Sequence, residues 1–494
     1  MVHPLRHGTA IAAALLLAAG TAARADLLIT RSVYTGDAST VTVGQPLPGG
    51  GTAVANGSYP NVFANEGPDP SFGVTSPIFI DHVGSSGQLV STFAVPTAVT
   101  TSYPSKSEIA INVSSNGQYV TFMGYVAPPK TLDVSNSNTP GHVDPTNPVT
   151  ASYQRAVVQI DGRGNVLITP VNAYSGNNGR AAILVNGQLF MVGNAGNGSG
   201  TQPTNIVNNT GVQSTTPGGS PDTTVIGKQQ GTPGSANGFQ FGYSVTQNGF
   251  SADKSGKDDN FRGLTVFNNT LYVTKGSGSN GINTIYQVGA PGSLPTLVAN
   301  ASSTPITILP GFPTTLAKSN PTMFPFGIWF ANATTLYVGD EGDGTTTDRN
   351  AGLQKWSLVN GTWVLDYTLQ AGLIGQSYTL GNYPTVTTTG LRNITGQINA
   401  DGTVTLFAVT STNSSETDSG ADPNMVVEIT DLLGATSLPP GEGFSVVQGP
   451  VYGQVYRGVA VVGPNFLVPE PSSLALFGLA GAALGAWRWR RRAK

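Results

Sequence analysis

The stretch FRGLTVFNNTLYVTKGSGSNGINTIYQV, Phe261 to Val288, decides the fold, because it recurs. Within it an alternating apolar run meets an Asn268-Asn269 turn, a second run, a Gly/Ser-rich loop and a third run. That order reads as consecutive antiparallel strands. Sixty-five residues on, FGIWFANATTLYVGDEGDG begins at Phe326, and Leu271-Tyr272-Val273 returns as Leu336-Tyr337-Val338. Two further steps of 65 bring LRNITGQINADGTVTLFAVTST at Leu391 and YRGVAVVG at Tyr456. Arg262, Arg392 and Arg457 fall on one lattice with Gly327 in the remaining slot; units of looser spacing start near Ser107 and Gly179.

Each unit supplies four strands, for example Leu353 to Val359 and Thr362 to Leu369 hinged at Asn360-Gly361 as the third and fourth. Four antiparallel strands repeated around an axis make a β-propeller blade. Usual blades run to about 40–50 residues, so the excess goes into long loops, chiefly those after each second strand. Tandem sandwich domains of about 100 residues and a β-helix with much shorter rungs suit the spacing less well. The expectation is therefore an all-β protein with six blades, or seven if Thr201 to Asn260 hides one.

The termini predict how the ring closes. The last unit has only its inner strand, Tyr456 to Val462, whereas Leu27 to Arg31, Ser76 to His82 and Gln88 to Val95 read as second, third and fourth strands lacking a first. One blade should combine them, with Val459 to Val461 pairing against Leu27 to Arg31, which leaves no open edge.

Outside this domain, expected over residues 26–466, both ends carry address signals. Arg6 and His7 precede an apolar run from Ala10 to Ala19, and Ala23-Arg24-Ala25 offers a small-x-small cleavage site before Asp26. Residues 1–25 read as a secretory signal peptide. Residues 467–494 contain Val468-Pro469-Glu470-Pro471-Ser472-Ser473, an uncharged span from Leu474 to Trp487, and then Arg488, Arg490, Arg491, Arg492 and Lys494. The prolines make an extended linker. The apolar span is slightly short of the roughly 20 residues of a transmembrane helix, with tryptophans at the headgroup level and arginines holding the end in the cytoplasm.

This order resembles the PEP-CTERM sorting signal of exopolysaccharide-producing Gram-negative bacteria, over about the last 26 residues. The resemblance implies an exosortase as processing partner, cutting near Pro469-Glu470-Pro471. It also implies an inner-membrane intermediate followed by the cell surface or the extracellular matrix, in association with exopolysaccharide.

Without the two basic residues of the leader, the five of the tail and Glu470, 16 basic and 25 acidic residues remain, a net charge of −9. An acidic export product with no basic run argues against nucleic acid as a partner. Charged residues are 10% of the chain, against roughly 25% in ordinary soluble domains, so Thr, Ser, Asn and Gln must carry solubility. The absence of cysteine removes disulfides, thiol nucleophiles and cysteine metal sites.

Chemistry-bearing motifs are few. Gly276 to Gly281 matches G-x-G-x-x-G but leads into another strand, so it reads as a turn. The loop Gly339 to Asp348 gathers Asp340, Asp343 and Asp348, weak candidates for Ca²⁺, whose shell takes about six to eight oxygens; a solvated acidic loop is the plainer reading. Lys254, Lys257, Asp258 and Asp259 read as surface. His82 and His142 are the only histidines beyond the leader, and neither H-E-x-x-H nor G-x-S-x-G occurs. No catalytic or cofactor-binding residue is assigned.

Two functions stay open: a non-enzymatic binding or structural propeller, and a secreted hydrolase or lyase using two carboxylates about 5–9 Å apart. The repeated arginines, with Arg180, admit two readings as well. Each pairs with a neighbouring blade, or all ring one mouth of the channel and take an anionic sugar or phosphate.

Overall fold

The computed structural model describes residues 26–53, 73–199, 203–227, 258–295, 301–414, 419–463 and 466. Six antiparallel sheets surround one axis. Blade 1 is composite: Gln454–Val462 is innermost, followed by Asp26–Val33, Ile78–Val83 and Leu89–Ala94. Val459 faces Ile29, Ala460 faces Leu28 and Val461 faces Leu27, the closure expected from the two ends. Blade 2 runs outward through Asn112–Val113, Tyr119–Tyr125, Arg155–Asp161 and Val166–Val171, and blade 3 through Gly179–Val185, Gln188–Gly193, Gly211–Thr215 and Thr224–Ile226. Blade 4 contains Leu264–Phe267, Thr270–Lys275, Thr284–Val288 and Ile306–Ile308. Blade 5 contains Pro325–Asn332, Thr335–Asp340, Gly352–Val359 and Thr362–Leu369. Blade 6 has Val386–Ile398, Thr403–Asn413, Val426–Leu432 and Ser445–Gln448, and adds a fifth piece, Ser377–Tyr378, along the start of its inner strand.

Residues 203–227 complete blade 3, so the described part of the long insert forms no seventh blade. Among the described residues helix is confined to Thr204–Val207 and two 3-10 turns. The expected C-terminal spanning helix lies outside the described residues, and among those described no helix is long and apolar enough to cross a membrane.

The core follows the ring. Six hydrophobic clusters each join two consecutive blades. Ile80 with Phe122 joins blades 1 and 2, Val157 with Met191 joins 2 and 3, and Phe190 with Val273 joins 3 and 4. Ile285 with Val338 joins 4 and 5, Leu353 with Leu406 joins 5 and 6, and Phe407 with Val459 returns from 6 to 1. Because each sheet is covered on both faces, the alternation along a strand marks two interfaces rather than a wet side and a dry side. Turn chemistry separates the strands: Asn360-Gly361 takes φ of +50° and +80°, the type I′ geometry that matches strand twist.

One interface carries a buried ion pair. Lys355 of blade 5 donates to Asp431 of blade 6 at 2.8 Å, and both side chains are fully excluded from solvent. Tyr337 and Tyr367 hydroxyls donate to the same carboxylate at 2.5 and 2.6 Å, and Lys355 also donates to the Leu432 carbonyl at 2.7 Å. At the edge of this cluster Glu442 accepts from the Leu432 amide at 3.1 Å. Burial, then the adjacent Asp431, pushes its carboxyl up to about 7 from 4.5.

A carboxyl raised on folding gives stability that is complete below about 4.5 and is lost as pH climbs through about 7. Urea midpoints should therefore fall between pH 5 and pH 8, and Glu442→Gln should flatten that fall. A variant with the same slope as the parent would refute the assignment.

Candidate functional site: an arginine-lined axial mouth

Five of the six inner strands share a defect, all but Asn112–Val113 of blade 2. In blade 3 the ladder skips from Gly179 to Ala181, in blade 5 from Pro325 to Gly327, in blade 6 from Leu391 to Ile394, and in blade 1 from Tyr456 to Gly458. In blade 4 Arg262 and Gly263 both face Thr274. A bulge places two residues against one and re-aims the first. The bulged residues are Arg180, Arg262, Phe326, Arg392 and Arg457, so the slot that the sequence lattice gave to Gly327 belongs to Phe326.

In blades 5 and 1 the residue after the bulge is glycine for a steric reason. A Cβ on Gly327 would lie 2.5 Å from the Arg392 carbonyl, and one on Gly458 would lie 2.5 Å from the Ile111 amide. Inner strands of adjacent blades touch backbone to backbone there.

Three arginines pair with neighbouring blades, as the structural reading expected. Arg180 donates to Asn260 and, at 3.1 Å, to the Phe261 carbonyl. Arg392 meets Glu341 at 3.3 Å, and Arg457 donates to the carbonyls of Tyr103 and Gly420. Arg262 does something different. It donates to Ser107 Oγ at 3.1 Å, from blade 4 to the entry of blade 2, and stacks over Phe326 at 5.2 Å. Such a bond skips blade 3, so its guanidinium lies at the centre. Lys106 likewise approaches Glu341 across the axis at 4.0 Å.

The axial cavity is lined from all six blades, among others by Asn112, Ala181, Arg262, Ile328, Arg392 and Arg457. Its volume is about 20 Å³, little more than one water needs, so the channel is plugged. Above the plug opens a polar cleft of about 430 Å³ that shares Lys106 and Arg262 with it. The loops after second strands form one wall through Asn194 and Ser277 to Asn280; the loops before inner strands form the other through Pro104 to Lys106 and Asn177-Asn178. Among the described residues lining either cavity there is no Asp or Glu. The two nearby acids are engaged: Glu341 as above, and Glu108 by Tyr125, by Asn178 at 2.6 Å, by Thr101 at 2.8 Å and by the Ser102 amide at 2.9 Å. Burial, then the neighbouring Arg262, pushes the Arg180 guanidinium down; burial pushes Arg262 down to about 10, opposed by Glu341 and helped by Arg392.

The other candidates scatter. Asp340 is buried and accepts from the Phe324 and Gly342 amides at 2.7 and 2.9 Å and from Gln354 at 3.1 Å. Asp343 binds Thr345, and Asp348 caps the Asp343 and Asn350 amides. Among the described residues no three metal-binding side chains converge. His82 pairs with Asp26 at 3.0 Å, and His142 with the Asn205 carbonyl at 3.1 Å. Asp258 and Asp259, expected at the surface, are fully buried where their segment enters blade 4, with Asp259 facing Thr210 at 3.5 Å. Lys254, Lys257, Ala23, Ala25, Pro469 to Pro471 and Arg488, Arg490, Arg491 and Arg492 lie outside the described residues.

Residues 467–492 match the PEP-CTERM protein-sorting motif. The chain is an exosortase-sorted, exported propeller. No curated protein matches it. Among solved structures, an ulvan lyase bound to its saccharide shares 10% identity over 85% of this chain and 96% of its own, at a TM-score of 0.31. The parainfluenza virus 5 hemagglutinin-neuraminidase ectodomain shares 10% over 78% and 76%, at 0.30, and a Dyadobacter fermentans protein of unknown function 11% over 73% and 96%, at 0.27. Likeness this slight carries no argument; the blades rest on strand pairing.

The exit of the chain orients the molecule. From Arg457 the inner strand of blade 1 runs five more residues to Val462, about 17 Å at the usual rise. Phe466 then packs on Gly162, 3.5 Å from where its Cβ would be, beside the hairpin turns of blade 2. Phe466, the last described residue, therefore lies at the face opposite the arginine mouth.

Proposed function

We propose that the mature protein, cleaved before Asp26, is a non-catalytic surface propeller that binds exopolysaccharide through its arginine mouth. The observation that carries this is the opposition of the polar cleft and Phe466, the last described residue before the sorting motif: a tail continuing from Phe466 into the inner membrane would leave the cleft facing away from it. A cleft rich in Asn, Ser and Arg offers hydrogen bonds and charge to a hydrated chain. That no Asp or Glu is among the described residues of its lining supports binding over acid–base cleavage, which needs two of them.

The purified domain should co-sediment with matrix polysaccharide isolated from the producing cells. It should release no reducing ends from common polysaccharides and hydrolyse no esters or phosphoesters. Turnover that a single Asp or Glu substitution abolishes would instead establish the hydrolase or lyase.

A further inference from the structure

We infer that the cleft between Arg180 and Arg262 is a subsite for an oxyanion carried on a sugar, a carboxylate or a sulfate. The inference rests on the display reading above and names the chemical group that reading leaves open.

Three observations point to it. First, the cleft brings Lys106, Arg180 and Arg262 together with no acid among its described lining residues. The nearest carboxylates are already committed, Glu341 to Arg392 and Glu108 to Tyr125, Asn178 and Thr101, so an anion entering the cleft meets an excess of positive charge. Second, hydrogen-bonding capacity is left over. Arg180 Nε, Arg262 Nε and Ser277 Oγ, which can donate to an oxyanion, and Asn194 Oδ1, which can accept only from a sugar hydroxyl, are buried atoms with no hydrogen-bond partner among the described residues. Arg180 is 4% exposed and Asn194 2%. Such groups carry a desolvation cost that a ligand or water would relieve. Third, the remainder of the lining suits a sugar rather than a bare ion. Asn177, Asn280 and Ser279 put amide and hydroxyl groups on the rim, and the cleft's volume of about 430 Å³ falls within the range of small-molecule sites. Arginine forks match planar carboxylates and sulfates better than neutral hydroxyls.

The test uses calorimetry with an oligogalacturonate, a sulfated galactan oligosaccharide and an uncharged glucan of equal length. At least one acidic ligand should bind, weaken in high salt and outbind the glucan about tenfold or more; the arm that binds names the group. Arg262→Gln should reduce that affinity about tenfold. Because Arg262 also ties blade 4 to blade 2, Ser279→Glu serves as the second variant; this exposed rim residue should repel the acidic ligand while unfolding like the parent. Equal binding of glucan and acidic ligands, unchanged by Ser279→Glu, would overturn the oxyanion subsite and leave the display reading standing. Failure of all three, together with failure to bind the isolated matrix polysaccharide, would remove that reading as well.

Discussion

Asp431→Ala should destabilise the propeller by about 3–5 kcal/mol, the usual cost of leaving half of a buried ion pair behind. With a typical total of about 5–15 kcal/mol, this is the largest single-residue effect expected in the folded body. The loss is large because the residual group is a lysine: Lys355 is fully buried and would keep only the Leu432 carbonyl and the Tyr367 hydroxyl as partners. Tyr337 would lose the acceptor for its hydroxyl, and Tyr367 would lose its own. Replacing the whole cluster (Lys355→Met, Asp431→Leu, Tyr337→Phe, Tyr367→Phe) should recover most of the stability, since no polar group is then stranded. Urea unfolding of the single and quadruple variants checks both halves. A single variant within about 1 kcal/mol of the parent would show that water reaches the pair and that the interface opens.

That latch was invisible in the sequence, and the reason is architectural. In Leu353-Gln354-Lys355-Trp356-Ser357, alternation puts Lys355 on the face of Leu353 and Ser357, which reads as mixed. Only knowing that blade 6 covers that face shows the lysine to be dry, and its partner lies 76 residues away. Asp258 and Asp259 misled in the same way: a charged pair beside a Gly-rich insert resembles surface until blade 3 supplies Thr210 against it. By contrast, the blades were legible because a propeller repeats one local code, apolar run, Asn/Gly turn, apolar run, at a nearly fixed spacing. Closure was legible because each terminus lacked what the other had. The arginine lattice was legible as a period, but its meaning was not. Inter-blade pairing holds for Arg180, Arg392 and Arg457, while the bulge in blade 4 turns Arg262 to Ser107 across the axis. A bulge leaves no mark in composition; the small residue after four of the five bulged positions, Ala181, Gly263, Gly327 and Gly458, with Asn393 after the fifth, was its one available trace.

Glu470→Ala with Pro471→Ala should abolish maturation, leaving full-length protein in the inner membrane and none at the surface. The expectation follows from how the motif is presented. Inner-strand pairing ends at Val462, and six residues separate it from Pro469, at most about 25 Å of extended chain. An exosortase cutting near Pro469 would work within that reach of the propeller, on a sequence whose prolines fix φ and lack backbone donors. Removing Pro471 restores a backbone donor and conformational freedom next to a folded edge, and removing Glu470 deletes the one charge between the propeller and the apolar span. Neither change touches a blade, so the trapped protein should still be folded, resistant to protease up to Val462 and able to bind whatever the arginine mouth binds. Fractionation with mass measurement of the accumulated species checks the first part, and limited proteolysis the second. Normal maturation of the double variant would separate this chain from exosortase processing. A trapped but unfolded product would mean instead that the linker belongs to the fold.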